Sequence, residues 1–391
     1  MNTLFWGAFA SLFYIYLGYP LLLWFVRAIK GVKPVQRAPF EPQVTLIISA
    51  YNEAATIREK IENSLALQYP RDKLEILVVS DASSDETDQI VSEYAQQGVT
   101  LVRMKERRGK TIGLNHAVSI AKGTLVIFSD ANAFYDENVV HRLAENFADP
   151  TVGYVTGASL YVETKSSFVG WCEDLYWNYD LKIKALESAL GSMVGADGAL
   201  YAIRKTLYTP LQYNDINDFV NPLQIIALGF RGVFEPQAVC HEKTVSQFGE
   251  EYRRKVRIVS RSVRGMMRVS VLLNPFRFGF YTLQLISHKL LRWLTPFFIV
   301  GAGVGNIALW SQNLFYQIFG ILQVCFYLFA LTGWLLAKKG MRSKIFYLPY
   351  YFCLMNVASL HGIWKSVRGS APATWEPERE KKSAREKRRP V

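Results

Sequence analysis

The sequence predicts an α/β protein whose mostly parallel sheet is covered by helices and flanked at both ends by membrane helices. Three observations carry this. Short apolar runs alternate with helical patterns from residue 44 to 128, as βαβ units require. Three of these runs stop abruptly on clusters of Asn, Asp and Ser. Residues 3–26 and much of 293–363 are almost wholly apolar, and about 20 such residues span a bilayer.

The totals bound the problem. A chain of 391 residues holds one large domain or two. Its net charge is +12, yet no nucleic-acid motif accompanies the charge, so nucleic acid is not an expected partner. The basic residues instead border the apolar segments: Arg27, Lys30, Lys33 and Arg37 after the first, Lys338, Lys339, Arg342 and Lys344 between later ones. The tail adds six more between Lys381 and Arg389. That placement follows the positive-inside rule and suits an anionic inner leaflet. Four scattered cysteines show neither metal-ligand spacing nor a disulfide framework.

Residues 1–30 read as an uncleaved anchor, since no charged n-region or small-residue cleavage site accompanies them. Its basic flank puts the N-terminus outside and residue 28 onward in the cytoplasm. Residues 31–43, with Pro34, Pro39 and Pro42, read as a linker, and 44–270 as the soluble domain. A buried strand over 44–48 ends at Ala50, Tyr51, Asn52 and Glu53. A helix follows, with Ile57, Ile61, Leu65 and Leu67 near helical spacing. A second strand over 74–79 ends in Asp81, Ser83, Ser84 and Asp85. After a helix over 86–97 and a short strand over 99–103, the loop 105–110 feeds a helix over 111–121. The next strand, 124–128, runs into Asp130 and Asn132.

A carboxylate at the end of a buried strand is costly unless paired. Oxygen side chains at i and i+2 suit a hard divalent cation that also holds phosphate oxygens, although Asp and Asn also form ordinary turns. Ligands of parallel sheets sit outside the carboxyl ends of the strands, where Asn52, Asp81 and Asp130 all fall. These clusters are therefore expected to form one site. Neither dinucleotide nor phosphate-loop signature applies: no Gly-x-Gly-x-x-Gly follows the first strand, and Met104 stands where Gly109-Lys110-Thr111 would need a glycine.

These clusters, with Arg108-Gly109-Lys110, Leu114-Asn115, the loop from Gly195 through Asp197 and Gly198 to Arg204, and the segment Asn217-Asp218-Phe219-Val220, resemble the inverting family-two membrane glycosyltransferases of bacterial exopolysaccharide assembly, over about 44–262. The resemblance implies a GT-A fold and transfer from a nucleotide-sugar, a UDP-sugar, to a polyprenyl-diphosphate-linked or glycan acceptor. It implies donor binding by Ala50, Tyr51, Asn52, Glu53, Asp81, Ser83, Lys110, Asp130 and Asn132. Asp130 and Asn132 would hold Mg2+ or Mn2+, with His241 a further candidate ligand beside its structural reading. Gly198 belongs to the acceptor and donor-sugar loop. Asp218 is the candidate general base and Asp215 the competing carboxylate. Two departures stand out. The family usually has Asp where Asn132 stands, which weakens metal binding. The Gln-x-x-Arg-Trp of processive synthases appears as Arg254-Lys255-Val256-Arg257-Ile258, without its Trp, which argues against a long-chain synthase. A processive synthase and a non-catalytic donor-binding subunit remain the alternatives.

Arg254, Arg257, Arg261, Arg264 and Arg268 recur at spacings of three and four, one face of a helix, with Val256, Val259, Val263 and Met266 opposite. That face lies on anionic lipid, or its first turns, with Arg254 and Arg257, reach a diphosphate; both readings stand. Residues 171–190 form a helix rich in aromatics, including Trp171, Tyr176, Trp177 and Tyr179, for core packing or acceptor stacking. An interfacial helix is expected over 271–292, marked by Lys289 and Arg292, then membrane helices within 293–365. Whether 345–363 crosses is open, because three crossings would carry the basic tail, 366–391, outside. The tail itself reads as disordered.

Overall fold

The computed structural model describes residues 1–162, 168–243, 248–341 and 343–369. Arg342, most of the basic tail and the side chain of Trp171 lie outside the described residues.

A single eight-stranded sheet organises the domain. Its strands are β1 (Val44–Ala50), β2 (Leu74–Ser80), β3 (Val99–Arg103), β4 (Leu125–Asp130), β5 (Ala133–Tyr135), β6 (Val152–Val162), β7 (Tyr201–Arg204) and β8 (Arg231–Lys243), in the order β3-β2-β1-β4-β7-β6-β8-β5. The half read from the alternating pattern, β3-β2-β1-β4, is wholly parallel. The other half is mixed: β7 runs antiparallel to β4 and β6, and β5 antiparallel to β8, while β6 and β8 are parallel. The sheet is thus mixed, with parallel pairings in the majority, as expected. Leu46 and Ile48 pack on one face with Ile57 and Ile61, and Ile47 packs on the other with Leu114 and Ala117. Burial on both faces is why β1 carries no polar alternation.

Register sets the site. Ala50 pairs with Ser80 and Ser49 with Asp130, so the polar ends of β1, β2 and β4 stand level on one edge.

The helices in chain order are α1 (Asn2–Lys30), α2 (Ile57–Leu65), α3 (Thr87–Ser92), α4 (Lys110–Ile120), α5 (Val139–Glu145), α6 (Phe168–Ala189), α7 (Asn217–Ala227), α8 (Phe248–Arg268), α9 (Phe280–Leu309), α10 (Leu314–Lys338) and α11 (Lys344–Val367). Three of these, α1, α9 and α10, are long and apolar enough to cross a membrane. The linker is docked: Arg37 pairs with Glu235 at 2.7 Å, the Lys33 amide donates to the Ala189 carbonyl, and the Arg231 Nη1 donates to the Pro34 carbonyl.

In the C-terminal half, α9 runs without a break across 292/293, where an interfacial helix is expected to give way to a span. Lys289 and Arg292, which suggested a headgroup position, instead face the protein. Arg292 pairs with Asp180 of α6 at 2.8 Å. The apolar stretch left open, 345–363, lies in α11, which is not among the helices apolar enough to span. It packs on α8, where the absence of a side chain at Gly362 permits the contact: a Cβ there would lie 2.9 Å from the Val256 carbonyl oxygen. Tyr252 and His361 also share a 2.9 Å hydrogen bond.

Candidate active site

The end of β1 turns through Asn52 at a φ of 52°, and the end of β2 turns through Ala82 at 56°. Such left-handed conformations cost about 1–3 kcal/mol in a non-glycine residue and cluster at functional sites. Cross-bonds hold them. The Ser84 amide donates to Asn52 Oδ1 at 2.8 Å, the Asn52 amide to Ser83 Oγ at 3.2 Å, and the Glu53 amide to Thr87 Oγ1 at 2.8 Å. The Asp81 amide donates to the Ala50 carbonyl at 3.0 Å. The Arg107 guanidinium lies 3.8 Å from the Tyr51 ring centre, making the rim cationic.

Asp81 is buried, and both of its oxygens accept from the next loop: from the Arg108 amide at 2.8 Å and the Gly109 amide at 2.9 Å. A carboxylate has about four acceptor positions, so each oxygen keeps one for a ligand. The bonds also place α4. Gly109, at a φ of 90°, makes the turn that a side chain would resist, and Lys110 begins the helix with its ammonium on Asp130. Asp81, Lys110 and Asp130 are thereby one connected unit.

Asp218 stands in the first turn of α7, half-buried at the wall of a cavity of about 420 Å3. Its carbonyl accepts from the Ala196 amide at 2.7 Å. A Cβ on Gly198 would lie 3.3 Å from Asp218 Oδ2, so the glycine lets its loop close over the carboxylate. Burial raises the Asp218 carboxyl above its ordinary value; Lys110 pulls it back, while Asp197 and Asp130 push it further up. Asp218 therefore feels both members of the Lys110–Asp130 pair. The competitor, Asp215, is 2% exposed, pairs with Arg268 and accepts from the Gln212 amide at 2.8 Å. It ties α7 to α8.

The arginine stripe divides. Arg254 pairs with Glu251 at 2.7 Å, Arg264 donates to the Ser366 carbonyl of α11, and Arg268 holds Asp215. Burial, then Arg261 and Arg254, lower the Arg257 guanidinium to about 10, against the pull of Asp130 and Asp218. The charge of Arg257 thus bears on both site carboxylates. The opposite face is covered as well, with Val259 against Gly362 of α11.

His241 sits on β8 opposite Phe134, with Nε2 3.0 Å from Asp136 Oδ1. Trp177 donates to the Ser159 carbonyl at 2.7 Å, whereas Tyr176 and Tyr179 face the cavity. Among the described residues no group of three or more His, Cys, Asp or Glu gathers as a self-sufficient metal cage. Mg2+ and Mn2+ do not demand one when one or two protein oxygens share the ion with a diphosphate, and Asp130, about a third exposed and already against a cation, offers such an oxygen.

Lys60 escaped sequence reasoning, and Asp197 was read only as part of its loop. Lys60 is fully buried, donates to the Ala133 carbonyl at 2.5 Å, and lies 3.6 Å from the Tyr135 ring centre; burial lowers its ammonium to about 7. Its position between Ile57 and Ile61 on the buried face of α2 was the available signal. Asp197 is 6% exposed, and its Oδ2 has no partner among the described residues.

Arg257→Ala is expected to raise the KM for a nucleotide-sugar about tenfold, since a charge-assisted phosphate contact contributes about 1.5–3 kcal/mol. Donor titration in membranes, with pelleting to check association, measures this. Unchanged transfer with lost association would leave Arg257 a lipid contact.

Comparison with known proteins adds a family match for part of the chain. Residues 45–209 match Glycosyl transferase family 2. Poly-beta-1,6-N-acetyl-D-glucosamine synthase of Staphylococcus aureus is 28% identical over 264 residues, 65% of this chain and 63% of that protein. The Staphylococcus epidermidis protein of the same name is 25% identical over 221 residues, 55% of this chain and 53% of its own. The alignments thus span less than two thirds of these relatives. A mannosyltransferase from Pyrobaculum calidifontis, solved with GDP-Man and Mn2+, superposes with a TM-score of 0.69 at 25% identity, covering 93% of this chain and 99% of its own. The level strand ends and the Lys110–Asp130 pair accordingly lie in the stretch, residues 45–209, that matches a glycosyltransferase family 2 domain, and Asp218 follows directly after it.

Proposed function

We propose that this protein is an inverting glycosyltransferase of exopolysaccharide assembly, moving a sugar from a UDP-sugar to a lipid-linked glycan at the cytoplasmic face of the cell membrane. The observation that carries the reading is a carboxylate at the cavity wall, Asp218, that forms no ion pair among the described residues and whose charge is coupled to the Lys110–Asp130 pair and to Arg257.

The chemistry follows from those residues. Asp218 accepts the proton of the acceptor hydroxyl as its oxygen bonds to the anomeric carbon. The bond from that carbon to the diphosphate breaks on the opposite side, so configuration inverts and the nucleoside diphosphate leaves. Lys110 and Arg257 meet the charge that develops on the leaving group. A divalent cation held by Asp130 and Asn132 would add Lewis-acid stabilisation of that diphosphate. Asp81 orders the Arg108–Lys110 loop and keeps acceptor capacity toward the nucleoside.

Processive synthesis is the second reading, favoured by the names of the staphylococcal relatives. Ile258, in place of the expected Trp, lines the cavity beside Asp218 and favours short products.

In inverted membrane vesicles, radiolabel from a UDP-sugar should enter the lipid extract; in sealed right-side-out vesicles it should not. Label in long donor-only polymer supports the processive reading. No labelled product with any UDP- or GDP-sugar sinks the proposal.

A further inference from the structure

The lining of the cavity beside Asp218 carries more than the carboxylate. There Lys255 of α8 and Lys289 and Arg292 of α9 meet Tyr176 and Tyr179 of α6, while Trp293, Leu348, Phe352 and Met355 make the rest of that wall apolar. Three cations therefore share the lining with one carboxylate, Asp218.

Their charge is only partly answered. Arg292 gives one nitrogen, Nη1, to Asp180 at 2.8 Å. Its side chain is 10% exposed, and its Nη2 is buried with no partner among the described residues. Asp180 and Glu187 are already engaged by His288, whose Nε2 and Nδ1 lie 3.0 and 2.8 Å from them. Among the described residues, neither Lys255 nor Lys289 forms an ion pair with a carboxylate. The Lys255 ammonium lies 5.1 Å from the Tyr176 ring centre. Burial would raise the Tyr176 phenol, yet Lys255 and Arg292 bring it below its ordinary value, as a positive potential requires.

The backbone is also unusual here. Both α1 and α9 loosen into a π-helical turn, Tyr14–Gly18 and Ile286–Leu290, and these turns deliver Tyr16, His288 and Lys289 to the cavity. Such turns are frequent at functional sites. Tyr14 and Ser287 join them by a 2.8 Å hydrogen bond.

We propose that this cavity seats a phosphate-bearing amphiphile as acceptor: Lys255, Lys289 and Arg292 hold its phosphate, the apolar wall takes the adjoining hydrocarbon, and its sugar hydroxyl faces Asp218. A desolvated arginine nitrogen beside two lysines calls for an anion, and the aromatic and aliphatic wall calls for an apolar chain on that anion. This rests on the transferase reading above and assigns the acceptor's seat within it.

The full-length chain in nanodiscs tests it, with nucleoside diphosphate release as the readout and two synthetic acceptors. One is a sugar on a prenyl diphosphate, the other the same sugar on a neutral alkyl chain. The KM for the diphosphate acceptor should lie at least tenfold below that for the neutral one. Lys255→Gln and Lys289→Gln should each shrink that gap at least threefold with donor KM within twofold of wild type, and Lys255→Arg should restore it. Prenyl diphosphate should compete far better than inorganic pyrophosphate. Equal KM values for the two acceptors overturn the proposal, as does equal competition by inorganic pyrophosphate, which would mean a site for a free anion. The acceptor comparison on wild type stands even if a variant misfolds. No nucleoside diphosphate release with any acceptor would instead defeat the transferase reading.

Discussion

Asp218→Asn is expected to lower kcat about a thousandfold while donor affinity stays within a few fold, because a positioned general base contributes about 10²–10⁴ in rate. The amide keeps the shape of the carboxylate and loses its capacity to take the proton. Asp215→Asn provides the contrast. It leaves the base intact but strips Arg268 of its partner, so its effect belongs to stability. Arg268 is 32% exposed, so the cost is below that of a fully buried pair, on the order of 1–2 kcal/mol. Single-turnover transfer and thermal unfolding of the two variants separate these roles. An Asp215→Asn protein that folds normally but cannot transfer would exchange the assignments. The pH profile supplies an independent check. Asp218 must be ionised to act, and its carboxyl lies above the ordinary range because burial disfavours the charge. Activity should therefore fall as pH drops through that raised value, earlier on the way down than an ordinary aspartate would give.

The second large effect concerns divalent metal. Chelation is expected to reduce transfer at least about a hundredfold, since Lewis-acid stabilisation of a diphosphate is worth several kcal/mol and each 1.36 kcal/mol is tenfold. Mn2+ or Mg2+ should restore it. Asn132→Asp replaces a neutral oxygen by a charged one beside Asp130 and should lower the metal concentration for half-maximal activity about tenfold. Full activity in excess chelator would show that Lys110 and Arg257 meet the diphosphate charge without metal.

The edge of the sheet was legible because the signals are local. A strand buried on both faces must be continuously apolar, and polar residues that follow it abruptly must be at its end. Asn52, Asp81 and Asp130 needed no tertiary information to be grouped, since parallel strands bring their carboxyl ends to one edge. The loop before α4 and the apolar segments were readable for the same reason: periodicity and hydropathy act within a few residues or one helix.

What only the tertiary structure decided was which element covers each helical face and who pairs with whom. Periodicity placed five arginines on one side of a helix but could not divide them among Glu251, the site, Asp215 and α11. Asp215 and Asp218 look alike three residues apart; a partner 53 residues away, Arg268, separates them. Lys289 and Arg292 resembled headgroup contacts until Asp180, more than 100 positions earlier in the chain, proved to hold Arg292 inside the protein. Lys60 was hidden among isoleucines for the converse reason, that its carbonyl partner at Ala133 arrives from another strand. Local physics selects secondary structure and its termini, whereas the balance of burial against charge is struck between segments distant in sequence, and here that balance ties Asp215 to Arg268 and leaves Asp218 at the cavity wall.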